Sequence, residues 1–303
     1  MPEAGPRIVA DIGGTTARFA LADTAGSLSH LTRYEVAQFA SFETVLDSFL
    51  DTLPSTGARC TDCAIAAAGP VVCGTLDMTN VPWVLDEAHL TQHLGGLRVR
   101  LFNDLEAVAL ALPRLPRAAL VPIRVPAAPA AGAADEPAAR VRPQLVVNVG
   151  TGFGAALALA DADGGCVIAT EAGHVRLAGD LALPGDGPGP CTVEDFLSGP
   201  GLERYRSRLS GRADAAEVAR SGFSGALGAV VRDLVLATGS FAGLALTGGV
   251  LSSWEAQVDT GRFLSAFDDH PTMAALLATV PISRIVHEVP ALIGLAGATL
   301  EDR

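Results

Sequence analysis

Asp11-Ile12-Gly13-Gly14-Thr15-Thr16-Ala17-Arg18 follows the apolar run Ile8-Val9-Ala10 and precedes Phe19-Ala20-Leu21. A strand that delivers an aspartate and then two glycines into a tight turn puts a carboxylate beside exposed backbone N–H groups. Magnesium and nucleotide phosphates require that combination, although a plain hairpin uses the same glycines. The pattern recurs twice. Leu145-Val146-Val147-Asn148-Val149 runs into Gly150-Thr151-Gly152-Phe153-Gly154, and Leu244-Ala245-Leu246-Thr247 runs into Gly248-Gly249-Val250. Several apolar strands ending in Gly/Thr turns point to convergence on one polyanion and so to a phosphotransferase.

A chain of 303 residues is near the length at which single cores divide, so two domains with an active site between them are expected. Hydrophobic residues make up 49% and charged residues 18%, as in a compact soluble protein. With 33 acidic and 21 basic residues the net charge is -12, which disfavours nonspecific attraction to nucleic acid. The cysteines at 60, 63, 73, 166 and 191 are odd in number and too sparse for a secreted disulfide scaffold, so cytoplasmic residence is expected. Cys60-Thr61-Asp62-Cys63 has the spacing of half a zinc knuckle, but no second pair follows it, and it reads as structural. Neither a signal peptide nor a membrane span is expected.

Along the chain, Ile8 to Ala10, Ala17 to Asp23 and Leu31 to Val36 read as strands. Phe42, Val45, Leu46, Phe49 and Leu50 then recur at helical spacing. Ala64 to Ala68 reads as a buried strand, Asp86 to Leu94 as a short helix, and Arg98 to Phe102 as a strand stopping at Asn103-Asp104. A helix through Leu105 to Leu112 follows. The stretch 126–143 is mostly Ala, Pro and Gly and reads as an exposed, mobile loop, or in the other reading a lid. Beyond it the strand, glycine turn, strand pattern of the beginning returns, which implies paired α/β domains hinged near residue 110. A long helix from Asp214 to Ala237 and a final small-residue helix from Ala291 to Leu300 complete the reading.

The ordered set DIGGTTARFAL (11–21), MTNVPW (78–83), FNDLEAVALALP (102–113), GTGFGAA (150–156), EAGHVRL (171–177), EDFLSGPGL (194–202) and LTGGV (246–250) resembles the bacterial ATP-dependent glucokinase family of the hexokinase and actin superfamily. The resemblance implies an α/β, RNase H-like (actin-like ATPase) fold. Its small domain would be 1–110 completed by a carboxy-terminal helix at 291–303, its large domain 111–290, with sugar and ATP in the cleft between them. The clustered cysteines of the related repressor, ORF and kinase family's zinc motif do not follow His174, which favours the zinc-free branch.

The resemblance makes Asp104 the catalytic base toward the sugar C6 hydroxyl. Read from the residues alone, Asp104 is equally an N-cap for the helix behind it. Asn103, Glu171, His174 and Glu194 occupy the family's sugar-contact positions, with a surface Glu or a core-edge His as the plain alternatives. The resemblance brings Gly13, Gly14, Thr15 and Thr16 to the ATP phosphates from one domain and Thr151 and Gly152 from the other. It sets Gly248 and Gly249 near the adenosine and gives Asp11 the Mg2+ ion, through water. Thr16 stands where the family usually has Asn, which bears on affinity. No Gly-Lys-Ser/Thr follows any glycine turn, so the P-loop is not the phosphate binder. The implied partners are D-glucose and ATP, with a homodimer by family analogy, no nucleic acid and no membrane. A kinase of another hexose or amino sugar is the neighbouring reading, and a noncatalytic sugar sensor the distant one.

Overall fold

The apolar run before the first glycine turn forms β1 (Arg7–Ile12), and the chain returns antiparallel as β2 (Thr16–Ala22) and β3 (Leu28–Glu35). The computed structural model describes residues 5–53, 60–78, 81–126, 143–159, 166–177 and 191–300. Residues 127–142, most of the expected loop, lie outside these, as do 79–80 of the MTNVPW stretch and 301–303 of the expected terminal helix. By its internal contacts the chain divides into two units, Met1–Leu115 with Glu288–Arg303, and Pro116–His287.

In the first unit β4 (Asp62–Ala67) lies parallel to β1 and is buried along its whole length. An uninterrupted apolar run of this kind belongs in a sheet covered on both faces. A small meander of β5 (Val71–Val72), β6 (Thr75–Asp77) and β7 (Val84–Asp86) follows, and β8 (Arg98–Asn103) completes the main sheet in the order β3-β2-β1-β4-β8. The helix Phe42–Leu50 turns Phe42, Val45, Leu46 and Phe49 inward, as its spacing predicts, and Phe49 stacks on Phe19 of β2 at 5.1 Å.

The helices Asp104–Ala111 and Pro290–Ala296 pack against each other, and the latter also packs on β1. Their backbones approach closely because residue 294 is glycine: a Cβ there would run into the carbonyl of Ala107. The terminal helix was expected to reach Leu300 and instead ends at Ala296. Its last carbonyls are taken by arginines rather than by another helical turn. Arg7 Nη1 donates to Leu295 O at 2.8 Å and to Ala298 O at 2.6 Å, while its Nε pairs with Asp62 at 2.6 Å. Arg114 Nη2 donates to Gly297 O at 2.9 Å.

The second unit repeats the plan. Its strands are β9 (Leu120–Arg124), β10 (Pro143–Val149), β11 (Phe153–Leu159), β12 (Cys166–Thr170), β13 (Leu244–Thr247) and β14 (Ile282–Ile285), in the order β12-β11-β10-β13-β14-β9. As in the first sheet, an antiparallel meander leads into parallel strands, here β10, β13 and β14. Asn148 of β10 therefore stands two residues before its glycine turn, as Asp11 of β1 does. The core joins Val147, Val149 and Leu246 to Phe223, Leu227 and Val231 of the helix Ala215–Thr238, and to Phe263 and Phe267 of the helix Thr260–Asp268. Among the described residues no helix is long and apolar enough to cross a membrane.

Gly294→Ala forces two packed backbones apart, and the overpacking cost is about 1–3 kcal/mol. The expected result is a lower urea midpoint with unchanged far-ultraviolet dichroism. An unchanged midpoint would show that the helix pair has room to spare.

Candidate active site

In the first unit two polar strand ends lie at the same edge of one sheet. The register Ile12↔Ala67↔Asn103 aligns the ends of β1, β4 and β8. The Gly13–Thr15 turn and Asp104 thus emerge on the same side, two strands apart, about 10 Å by strand spacing. Gly13 N–H closes the turn on Thr16 O at 2.9 Å, and Gly14 and Thr15 are exposed. The Thr16 hydroxyl accepts from Arg33 Nη2 at 3.3 Å. Asp11 Oδ2 accepts from Arg18 Nη1 at 3.1 Å, with 17% of its side chain exposed. Burial raises the Asp11 pKa, and the Arg18 guanidinium opposes that rise.

Asn103, not Asp104, caps the following helix. Its Oδ1 accepts from the N–H groups of Leu105 at 3.0 Å and Glu106 at 3.3 Å, and its Nδ2 donates to Gly69 O at 3.1 Å. The helix begins at Asp104, one residue earlier than the Leu105 start read from sequence. Asp104 is therefore the first residue of the helix and not its N-cap. Asp104 Oδ1 accepts from Leu105 N–H at 2.8 Å, so the carboxylate sits at the positive end of the helix. Asn103, expected at the sugar, already spends its oxygen on the cap and one amide hydrogen on Gly69.

In the second unit Glu194 gathers three segments. It rides on the short helix Val193–Phe196, and its Oε2 accepts from Phe153 N–H at 2.9 Å. A Cβ at Gly152 would strike that same Oε2, and a Cβ at Gly173 would strike Phe153 O. Glycine at 173 is therefore required by the close approach of backbone, while at 152 the Glu194 carboxylate occupies the space a side chain would take. Glu194, expected at the sugar, and Gly152, expected at the phosphates, consequently share one corner. Glu171 and His174 bracket the turn that carries Gly173; both are exposed, with His174 Nε2 3.8 Å from Glu171 Oε2. Such an exposed pair adds little stability, which leaves both side chains available to a ligand.

The remaining glycine turns also meet. Gly150 N–H donates to Gly152 O at 2.9 Å, and Gly199 N–H donates to Gly150 O at 2.7 Å. Thr151 is exposed at the tip. Gly248 has φ +110°, and a Cβ there would strike Val149 O and the side chain of Asn148. Gly249 N lies 3.8 Å from where a Gly150 Cβ would stand.

Among the described residues no three His, Cys, Asp or Glu side chains are grouped to hold a metal. Magnesium bound to a nucleotide needs no such cage, because phosphates and water supply most of its ligands beside one or two carboxylates. Asp11, partly exposed and beside the Gly13–Thr15 turn, fits that requirement through Oδ1. Sequence reading missed Arg18, Arg33 and Asn148. Arg18 was readable by hairpin arithmetic, since a turn centred between Gly14 and Thr15 pairs residue 11 with residue 18. Arg33 and Asn148 gave no comparable signal.

A family profile described as Glucokinase matches residues 8–219 and 205–302. The glucokinase of Cupriavidus metallidurans is 32% identical over 98% of this chain and 94% of its own length. The crystal structure of a glucokinase from an Antarctic psychrotroph superposes with a TM-score of 0.80 at 26% identity, covering 97% of this chain and 98% of that one. The glucose complex of the Balamuthia mandrillaris glucokinase superposes with a TM-score of 0.73 at 20% identity, over 98% and 94% of the two chains, a likeness of fold.

The corner around Glu194 depends on the cap of its helix. Asp195 Oδ2 accepts from the Thr192 N–H and hydroxyl, each at 2.8 Å, and these bonds hold the Asp195 pKa below the usual carboxylate value. A depressed folded pKa means stability that is present above the unfolded value, about 4, and lost as pH falls through the folded one. Asp195→Asn should therefore lower the melting temperature at pH 7. The gap to the unsubstituted protein should narrow on acidification below about pH 4. A gap independent of pH would show that the carboxylate's charge plays no part in the cap.

Proposed function

The chain belongs to the glucokinase family, and on that basis we propose that it is an ATP-dependent sugar kinase transferring the γ-phosphoryl group to the C6 hydroxyl of D-glucose. The products are glucose 6-phosphate and ADP. The observation that carries this reading is the division of labour at the end of β8: Asn103 serves the helix cap, and the neighbouring Asp104 carboxylate stands at the sheet edge where the Gly13–Thr15 turn emerges. A carboxylate in reach of the sugar accepts the O6 proton as O6 attacks the γ-phosphorus and the bond from that phosphorus to the ADP oxygen breaks.

In this reading Glu171, His174 and Glu194 serve the sugar hydroxyls, together with the amide hydrogen that Asn103 has left. Directional hydrogen bonds of this kind discriminate well, because a hydroxyl or site group left unpaired is costly. Gly13, Gly14, Thr15, Thr151 and Gly152 approach the phosphates, and Gly248 and Gly249 the adenosine, glycine giving the backbone close access. Asp11 would hold Mg2+ through water, and the ion when bound would neutralise phosphate charge. The strand order common to both sheets supports reading each unit as RNase H-like. Cytoplasmic residence belongs to the same proposal and is supported by the odd number and sparse spacing of the cysteines in the sequence.

With ATP and magnesium, the purified protein should phosphorylate D-glucose with a higher kcat/KM than mannose, fructose, galactose or glucosamine. NMR of the product should locate the phosphate on C6. Activity removed by EDTA should return with magnesium or manganese. A preference of about tenfold or more for another sugar would overturn glucose as the substrate.

A further inference from the structure

Asn148 and Thr247 are directly opposed in the parallel pairing of β10 with β13, so their side chains leave the same face of the sheet. On the other side of β10 the residue opposite Asn148 is Gly154, which has no side chain to fill the space. Asn148 and Thr247 are both half-buried, and neither the carboxamide nor the hydroxyl makes a hydrogen bond with any described residue. Neither residue's polar atoms are cut off from water, so both groups face solvent and can take a partner.

Their position indicates which. The Asn148 carboxamide lies between the second and third glycine turns: its Oδ1 and Nδ2 are 3.8 Å and 3.9 Å from where a Gly150 Cβ would stand. Its Oδ1 also occupies the space that a Cβ at Gly248 would need. Glycine at 248, at φ +110°, is thus what makes room for this amide. Both residues stand at the carboxyl ends of parallel strands, where open α/β sheets bind their ligands.

We infer that Asn148, with Thr247 beside it, is a nucleotide-contacting pair that holds the ribose-phosphate part of ATP by hydrogen bonds; this rests on the kinase reading above. The chemistry is complementary. A carboxamide offers two N–H donors and an acceptor, and a hydroxyl offers one donor and an acceptor, so together they can serve phosphate oxygens and ribose hydroxyls. The place that Asp11 takes in the first sheet is filled here by an uncharged amide, which contacts a polyanion without repelling it. An acid at position 148 would repel it.

The test is calorimetric titration of ADP into the full-length protein and its variants, with steady-state kinetics alongside. Asn148→Ala should weaken ADP binding about tenfold, the usual scale for lost hydrogen bonds to charged groups. It should raise the apparent KM for ATP by a similar factor, with the KM for glucose within about twofold. Asn148→Asp, of the same size, should weaken ADP further than Ala does. Thr247→Val, isosteric and lacking only the hydroxyl, should give a smaller loss and carries the test by itself if the Asn148 variants do not fold. Unchanged ADP affinity in the folded variants, with wild type binding ADP, would overturn this assignment and leave the kinase reading standing. A wild type that binds no ADP would overturn both.

Discussion

One hydrogen bond organises the corner of the second unit where Glu194 meets the β10–β11 turn: the Phe153 amide donates to Glu194 Oε2 at 2.9 Å. A bond to a charged acceptor contributes about 1.5–3 kcal/mol when shielded from water. Its structural effect is larger than its energy, because it brings together segments distant in sequence. The carboxylate fills the space beside residue 152 that a side chain would take, and Phe153 O comes so near the following turn that residue 173 has to be glycine. Gly201 meets the same kind of demand, since a Cβ there would strike the carbonyls of Phe196 and Asp195. The glycines of this region thus serve close approach of backbone and carboxylate, and that crowding fixes where Glu171, His174 and Thr151 are presented.

The first unit solves a related problem at the end of β8. Helix initiation needs an acceptor for free N–H groups, and a phosphotransferase needs a carboxylate that remains available. In the proposed function consecutive residues divide the two tasks. Asn103 bonds two amides, and Asp104 follows on the first turn, where the helix dipole favours its charge. On the neighbouring strands Arg18 sits against Asp11 and Arg33 against Thr16, placing two guanidinium groups beside an exposed glycine turn in a chain of net charge -12.

The elements legible in the sequence were those with strong local periodicity. Phe42, Val45, Leu46 and Phe49 specify one helical face, and the apolar run through Ala64 to Ala67 specifies a strand covered on both sides. The three glycine turns were legible as turns, since each followed an apolar strand. The meander β5–β7 was not, because strands of two or three residues show no period. The helix Thr260–Asp268 went unread although Asp259 caps it and Phe263 and Phe267 lie one turn apart. At the site, Asn and Asp are both good caps, so composition could not say which of residues 103 and 104 would take that place. The meeting of Glu194 with Phe153 spans 41 residues and has no local signature. The overlap of an expected sugar group with an expected phosphate turn therefore emerged only in three dimensions.

In the proposed function chemistry and capping are separate at positions 103 and 104, and one paired measurement tests this separation: kcat for glucose phosphorylation and unfolding free energy, on Asp104→Asn and Asp104→Ala. Because Asn103 holds the cap, both variants should keep their stability to within about 1 kcal/mol, the scale of a helix-dipole contribution. Both should lose about 10²- to 10⁴-fold in kcat, the scale of general base catalysis. Near-normal turnover in both variants, or turnover lost only in step with stability, would leave Asp104 a structural residue with no part in the chemistry.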